Sequence, residues 1–393
     1  MAEQSTAAPG EAAAPICATL EGNRLALIES GKGRLQALLE LIRGAEKSLR
    51  LLFYIFAADR SGTLVRDALT EAARRGVRVR LLLDGFGCAD TDPAFFKPVQ
   101  EEGGHFCLFH PSYGRRYLLR NHQKLAIADE RRALIGGGNV EDSYMEDEGA
   151  AHWRDLWLSI DGPSVPAAAR YFDDLYRWTT TKGAKLRRLR RLVHEHSQFR
   201  GRLQWKFTSP LSTRNPWRSA IARDIAKAGQ VDIIAAYFAP PRSMIRRLAR
   251  AAGRGRVRVI TASRSDNHAT VAAARYTYSR LLRRSVEMYE YVPARLHTKL
   301  VIVDDVVYIG SANFDFRSFY INLEVMLRIE DSRFADAMRG YLKRELADSE
   351  RITQALHRRR ATLWRRFRWT VSHFLVTSMD YSVSRRLNFG PER

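Results

Sequence analysis

The sequence predicts an α/β protein of two similar domains, each an α-β-α sandwich, related by a pseudo-twofold axis with a shared site at their interface. Two observations carry this. Apolar runs of strand length alternate with stretches of helical spacing, which argues for βαβ units and a largely parallel sheet covered by helices on both faces. The alternation occurs twice along the 393 residues, and each pass contains the pattern His-x-Lys-x-x-x-x-Asp, first at His122, Lys124 and Asp129 and again at His297, Lys299 and Asp304.

In chain order, residues 1–21 read as a flexible tail, rich in Ala, Glu, Ser and Pro and without the basic flank and apolar stretch of a signal peptide. The apolar run from Ser48 through Tyr54 resembles that from Val231 through Tyr237, and each opens its half as a strand. Helical spacing follows over 64–75 and 244–252, then strands over 77–83 and 257–260. Further strands over 105–109 and 286–292 lead into the motifs. Residues 124–128 and 299–303 are strands that turn at Asp129-Glu130 and Asp304-Asp305 into 133–135 and 307–309, so each motif lies on a hairpin. Alternate side chains of a strand share a face, so His122 and Lys124 point one way, as do His297 and Lys299. Strands opening on Asp155 and Glu324 come next, then helices over 164–179 and 332–346.

These elements bound a first domain at 22–181 and a second at 215–347. The intervening 182–214 is a basic linker whose arginine-rich part is either a solvated helix or a binding element. Residues 348–393 form a basic amphipathic helical extension. Leu356, Leu363, Trp364, Phe367, Val371, Phe374, Leu375 and Met379 recur there at helical spacing, crowded by arginines such as Arg358, Arg365, Arg366 and Arg368. Such a helix either lies in the headgroup region of an anionic membrane or packs its apolar stripe on the second domain.

A formal charge of +22 and a pI near 10.3 point to a polyanionic partner, either nucleic acid or an anionic membrane face. Cys17, Cys88 and Cys107 are scattered and lack CxxC spacing, so neither a disulfide framework nor a zinc site is expected, and a reducing cytoplasm fits. No apolar run approaches the roughly 20 residues of a membrane-spanning helix, so contact with a bilayer is expected from its surface.

Two histidines and two lysines supplied in matched sets suit phosphodiester exchange. The ester is anionic and resists nucleophiles, so charge must be neutralised while attack is held in line with the leaving oxygen. One imidazole attacks phosphorus and the other protonates the departing oxygen. Lys124, Lys299, Asn139, Asn313 and Ser311 act as fixed donors, and no metal or cofactor is expected. Asn139 and Asn313 end the small-residue turns Gly136-Gly137-Gly138 and Gly310-Ser311-Ala312, in which Gly137 and Ser311 have structural parts. A free imidazole titrates near 6.5, so one ring is expected neutral and the other protonated. Asp155 and Glu324, matched in the repeat, are expected to hold the far ring nitrogen of the histidine in their own half. For Asp129 and Asp304 a turn role and a chemical one both stand. The acidic cluster of Glu141, Asp142, Glu146, Asp147 and Glu148 with His152 lacks regular ligand spacing and reads as a solvated loop. The remaining histidines, among them His110, His357 and His373, have no repeated counterpart and read as surface or structural.

At its duplicated motif the chain resembles the phospholipase D superfamily. The likeness narrows through Arg120-Asn121-His122, the turn ending in Asn139, Trp153-Arg154-Asp155, Asp161-Gly162-Pro163 and the stretch from Gly310 to Phe319 with Asn322 and Glu324, which is similar to bacterial cardiolipin synthases of the shorter kind without amino-terminal spans. The resemblance implies two phospholipase D-like domains, a phosphohistidine intermediate, and transfer of a phosphatidyl group from phosphatidylglycerol to a second lipid alcohol with release of glycerol. By position, His122 is then the nucleophile and His297 the acid. It also implies a peripheral protein on the cytoplasmic face of the inner membrane. A phospholipase of the same fold, in which water replaces the alcohol, is the first alternative. A nuclease is the second; the aromatics do not interleave with basic residues along a strand-binding surface, which argues against nucleic acid as the partner.

Overall fold

The computed structural model describes residues 15–109, 119–149, 151–208 and 215–378. Most of the expected tail, His110, Met379 and the end of the linker lie outside the described residues.

Two eight-stranded sheets share one seven-stranded topology and differ in the eighth strand, which is added at opposite edges. The first runs Cys17–Leu20, Asn23–Ile28, Trp157–Asp161, Arg132–Gly136, Leu125–Ala128, Ser48–Phe53, Arg78–Asp84 and His105–Phe109. The second runs Leu203–Phe207, Val325–Glu330, Val306–Gly310, Lys299–Val303, Gln230–Ala235, Arg256–Ala262, Glu287–Tyr291 and Ser349–Ile352.

The sheets are mixed, which corrects the largely parallel expectation. In each, two neighbouring pairings are parallel and the other five antiparallel. The parallel strands are those joined by helical crossovers. The motif strands return through tight hairpins, and a short turn permits only antiparallel pairing. Strands Leu203–Phe207 and Ser349–Ile352 edge the second sheet, so that sheet draws on chain from both sides of 215–347. The second of these is short and polar, as an edge tolerates.

Strand alternation sends successive side chains to opposite faces, and both faces are covered. Outside the first sheet, Leu49, Leu51 and Phe53 meet Leu38 and Ile42 of helix Gly31–Arg43 and Val65 and Leu69 of helix Arg60–Arg74. Outside the second, Val231 and Ile233 meet residues of helices Pro216–Lys227, Arg242–Ala252 and His268–Leu282. Between the sheets runs one continuous core that includes helices Val165–Thr180 and Ser332–Ala347, with Leu52 and Ile234 pointing into it from the two central strands. On those inner faces Arg50 pairs with Asp173 at 2.8 Å and Asp232 with Arg258 at 2.6 Å, the same strand position carrying opposite charge in the two halves.

The basic stretch after the first half forms helix Leu186–His196, whose Leu189 and Val193 are buried. The described part of the C-terminal extension holds the edge strand Ser349–Ile352 and then two helices, Gln354–Arg360 and Leu363–Ser378, rather than one. Trp369, Leu375 and Val376 of the second are buried, whereas Leu363, Trp364, Phe367 and Phe374 are each more than half exposed. No helix among the described residues is long and apolar enough to cross a membrane.

Candidate active site

Each motif opens where its chain crosses to the other half. The His122 amide donates to the carbonyl of Leu323 at 2.9 Å, and the Leu323 amide to that of Arg120 at 2.9 Å. Symmetrically, Arg295–Leu296 pairs in parallel with Trp153–Arg154, and the His297 amide donates to the Arg154 carbonyl at 2.8 Å. Each histidine segment is thus docked on the segment that carries the other half's carboxylate.

The consequence is a crossed pairing, which corrects the expected one. Glu324 accepts from Nδ1 of His122 at 3.0 Å, and Asp155 from Nδ1 of His297 at 2.6 Å. The repeat places the two carboxylates at equivalent positions, but the backbone exchange between the halves hands each to the opposite histidine. Glu324 is further held by the hydroxyls of Ser311 at 2.6 Å and Ser318 at 2.8 Å. With its Nδ1 fixed, each ring turns Nε2 to the chemistry, that of His297 standing 3.4 Å from the Tyr144 hydroxyl. Both imidazoles line a single cavity of about 530 Å³, together with Asn139, Asn313, Arg120, Arg317 and the tyrosines Tyr54, Tyr144 and Tyr237.

Lys124 and Lys299 are buried, and neither is among the residues lining that cavity. Lys124 donates to the carbonyl of His122 at 2.7 Å, and Lys299 to that of His297. Lys299 Nζ also stands 2.6 Å from Nδ1 of His297, whose own proton goes to Asp155. Burial pushes the Lys299 ammonium down to about 8 and lowers Lys124 well below the ordinary lysine value. Burial also lowers His122 to about 4 against the pull of Glu324, and His297 to about 3 with Lys299 adding to the fall. Both rings are therefore neutral near pH 7, in place of the expected split between one neutral and one protonated imidazole. A phosphodiester anion between them favours the protonated form of an adjacent ring. Burial would raise Asp155 and Glu324, but Lys299 and His297 outweigh it at Asp155, and His122 and Lys124 at Glu324, so both carboxylates sit below their ordinary range.

The glycine turn makes the close approach possible. A Cβ on Gly137 would stand 2.6 Å from Asp155 Oδ1 and 2.8 Å from Lys299 Cδ, so only glycine lets this turn pass behind the pair. Asn139 Oδ1 accepts from the Ile55 amide at 3.2 Å, and Asn313 Oδ1 is buried with no hydrogen-bond partner among the described residues.

Asp129 and Asp304 lie at the far ends of the motif strands, with φ of 54° and 46° in the hairpin turns. Their carboxylates accept from the backbone: Asp129 from Glu46, Lys47 and Ser48 at 2.8–2.9 Å, Asp304 from Gln230 at 2.8 Å. Each pins the start of a neighbouring central strand and stands away from the cavity. In the acidic loop, Asp147 accepts from the Lys32 amide at 3.1 Å and Asp142 from Ser61 at 2.7 Å, so these carboxylates serve the starts of two helices.

Some contributors escape a reading of the sequence. Buried Arg34 donates to the carbonyls of Tyr144 and Asp155, both at 2.7 Å, and so fixes the backbone that carries one carboxylate. Asp84 accepts from the Asn121 amide at 2.7 Å, just before His122, and burial raises its carboxyl to about 6. Neither has a counterpart in the repeat. Tyr54 and Tyr237 both reach the cavity from the ends of matching strands, but the register equates Leu52 with Ile234 and Phe56 with Phe238, so Tyr54 matches Ala236 and the two tyrosines stand one position apart.

The chain matches the family described as "Cardiolipin synthase, PLD-like domain" over residues 38–173 and 221–346. It is similar to the major cardiolipin synthase ClsA of Bacillus subtilis, 30% identical over 367 residues that cover 90% of this chain and 75% of the relative. It is similar also to cardiolipin synthase A of Pseudomonas aeruginosa, 30% identical over 345 residues that cover 85% and 69%. Among solved structures, the phosphatidylserine synthase of Haemophilus influenzae superposes with a TM-score of 0.70 at 13% identity, covering 92% of this chain and 96% of that one. The polyphosphate kinase of Porphyromonas gingivalis gives 0.59 at 16%, covering 85% and 49%. At such identities the structural likeness speaks for the fold alone. The family match spans both halves, each bringing one of the two histidines that share the cavity: the chain belongs to the cardiolipin synthase family of phospholipase D-like proteins.

Proposed function

We propose that this protein is a phosphatidyltransferase that forms cardiolipin, or a related phospholipid, from phosphatidylglycerol and a second lipid alcohol through a phosphohistidine. One observation carries the reading: imidazoles from both halves, each locked at Nδ1 by a carboxylate from the opposite half, line one cavity. Nε2 of His122 attacks phosphorus, the bond to the glycerol oxygen breaks, and His297, which takes up a proton at Nε2 when the phosphodiester anion binds beside it, gives that proton to the departing oxygen. The acceptor hydroxyl then returns a proton to His297 as its oxygen displaces His122 from phosphorus. Lys124 and Lys299 add positive charge behind the rings, and Asn139 and Asn313 donate to the phosphoryl oxygens.

The lipid reaches the cavity from a membrane on which the protein sits peripherally, at the cytoplasmic face of the inner membrane. The exposed Leu363, Trp364, Phe367 and Phe374 among arginines support this. Incubation with phosphatidylglycerol vesicles tests the reading. Cardiolipin and glycerol are expected as products, both lost in His122→Ala and in His297→Ala. Phosphatidic acid as the sole product would replace the transferase with a hydrolase, and cleavage of DNA with inert lipid would replace both.

A further inference from the structure

A second cavity, of about 810 Å³, lies where helix Leu363–Ser378 crosses helix His268–Leu282, and it is larger than the one holding the histidines. Arg242, Arg280, Arg283, Arg358 and Arg366 line it, and no Asp or Glu does. Arg50, Arg154, Arg258, Arg275 and Arg328 are each paired with carboxylates, whereas none of the five cleft arginines has one among the described residues. Five uncompensated guanidiniums around a concave surface raise the local concentration of anions. The floor is built rather than open: buried His357 shares a hydrogen bond of 2.9 Å with Ser279 Oγ and stacks on Trp369 at 5.2 Å.

The ligand also needs an apolar part. On a helical turn of about 3.6 residues, the cleft-facing set of Arg366, Trp369, Thr370, His373 and Thr377 lies between two other rows. On one side are buried Ser372 and Val376; on the other are Leu363, Phe367 and Phe374, exposed by 86%, 59% and 61%. An anion seated among the arginines therefore has an uncovered apolar row directly beside it. The cleft also shares a wall with the histidine cavity. Short strands Phe238–Ala239 and Phe314–Asp315 pair in parallel, with Tyr237 and Asp315 lining the histidine cavity and Pro240, Pro241 and Phe316 lining the cleft.

We infer that this cleft is a second phosphate site, which takes the headgroup of an anionic phospholipid while its acyl chains lie along Leu363, Phe367 and Phe374. The inference rests on the proposed action on phospholipid for its ligand class, but its test does not depend on turnover. Binding of the full chain carrying His122→Ala to vesicles of phosphatidylglycerol in phosphatidylcholine is measured by sedimentation. Arg280→Glu/Arg366→Glu is expected to lower affinity about tenfold or more, because each basic group near an anionic surface contributes measurably. Arg280→Lys/Arg366→Lys is expected to keep it. A control pair on helix Leu186–His196, Arg187→Glu/Arg188→Glu, changes net charge equally and is expected to cost much less. Equal losses in the two Glu pairs would overturn the site in favour of overall charge, and no loss in the cleft pair would overturn the assignment of the cleft to lipid. Calorimetry with inorganic phosphate separates the sources. Phosphate binding abolished by the cleft pair, with vesicle binding unchanged, would overturn the lipid assignment in favour of a free anion.

Discussion

At the scale of single residues, the crossed carboxylates decide which histidine each one serves. Asp155 touches His297 and Glu324 touches His122, so the proposed roles attach Glu324 to the nucleophile and Asp155 to the acid. An aryl phosphodiester whose leaving group needs no proton separates the two. With it, Asp155→Asn is expected to retain the burst of leaving group that marks covalent enzyme, while Glu324→Gln loses it by about 10²- to 10⁴-fold. On phosphatidylglycerol, where the leaving alkoxide needs its proton, both variants are expected to fall. Rapid-mixing kinetics read the burst directly, and the reverse pattern would exchange the roles of the histidines. The residue types at this site were legible because the repeat wrote each of them twice. Their partnership was not, since a repeat states which positions are equivalent and is silent on which half a strand docks against. Arg34 and Asp84 had no signal at all, because each acts on backbone groups and occurs once.

At the scale of elements, the C-terminal helix Leu363–Ser378 shows where periodicity runs out. Its apolar residues recur every three or four positions, as the sequence shows, yet they form two rows and only one is covered. Spacing alone assigns a residue to a helix face but not to a neighbour. Adjacent positions on this helix should therefore respond oppositely. Leu375, 8% exposed, packs inward, and Leu375→Ala is expected to cost about 2–4 kcal/mol in chemical denaturation. Phe374, 61% exposed, should tolerate Ser within about 0.5 kcal/mol yet weaken vesicle binding. A stability loss at Phe374 equal to that at Leu375 would mean that the outer row is covered in solution. The sheets teach the same lesson. Strand and helix positions were legible from pattern, but direction depends on the connection, and the hairpins that carry the motifs turned an expected parallel sheet into a mixed one.

At the scale of the whole molecule, the two halves hold each other's chemistry, so stability and site should fail together in acid. Across the interface Arg154 meets Glu345 at 2.6 Å and Arg344 meets Glu29 at 2.7 Å, beside a core common to both sheets. The titrating groups of the site have opposite signs. His122 and His297, lowered by burial to about 4 and 3, bind fewer protons folded than unfolded below the ordinary value near 6.5, so their burial costs stability as pH falls from there. Asp155 and Glu324, held low by Lys299 and His297 and by His122 and Lys124, stabilise above the ordinary carboxylate range and lose that contribution as they protonate. Asp84 and Asp315 run the other way. Burial raises both to about 6 from an ordinary 3.8, so between those values the folded chain takes up protons and gains stability as pH falls. Between about pH 6 and 4 the two tendencies offset, and below about 4 only the losses remain. Stability from denaturant titrations is therefore expected to decline gently to about pH 4 and steeply beyond it. Asp315→Asn, which keeps a capping side chain for the short helix Phe316–Tyr320 but removes one opposing carboxyl, is expected to steepen the decline between pH 6 and 4. Parallel curves for the parent and this variant would mean that Asp315 is ionised throughout, and that the buried cluster balances its charges by another route.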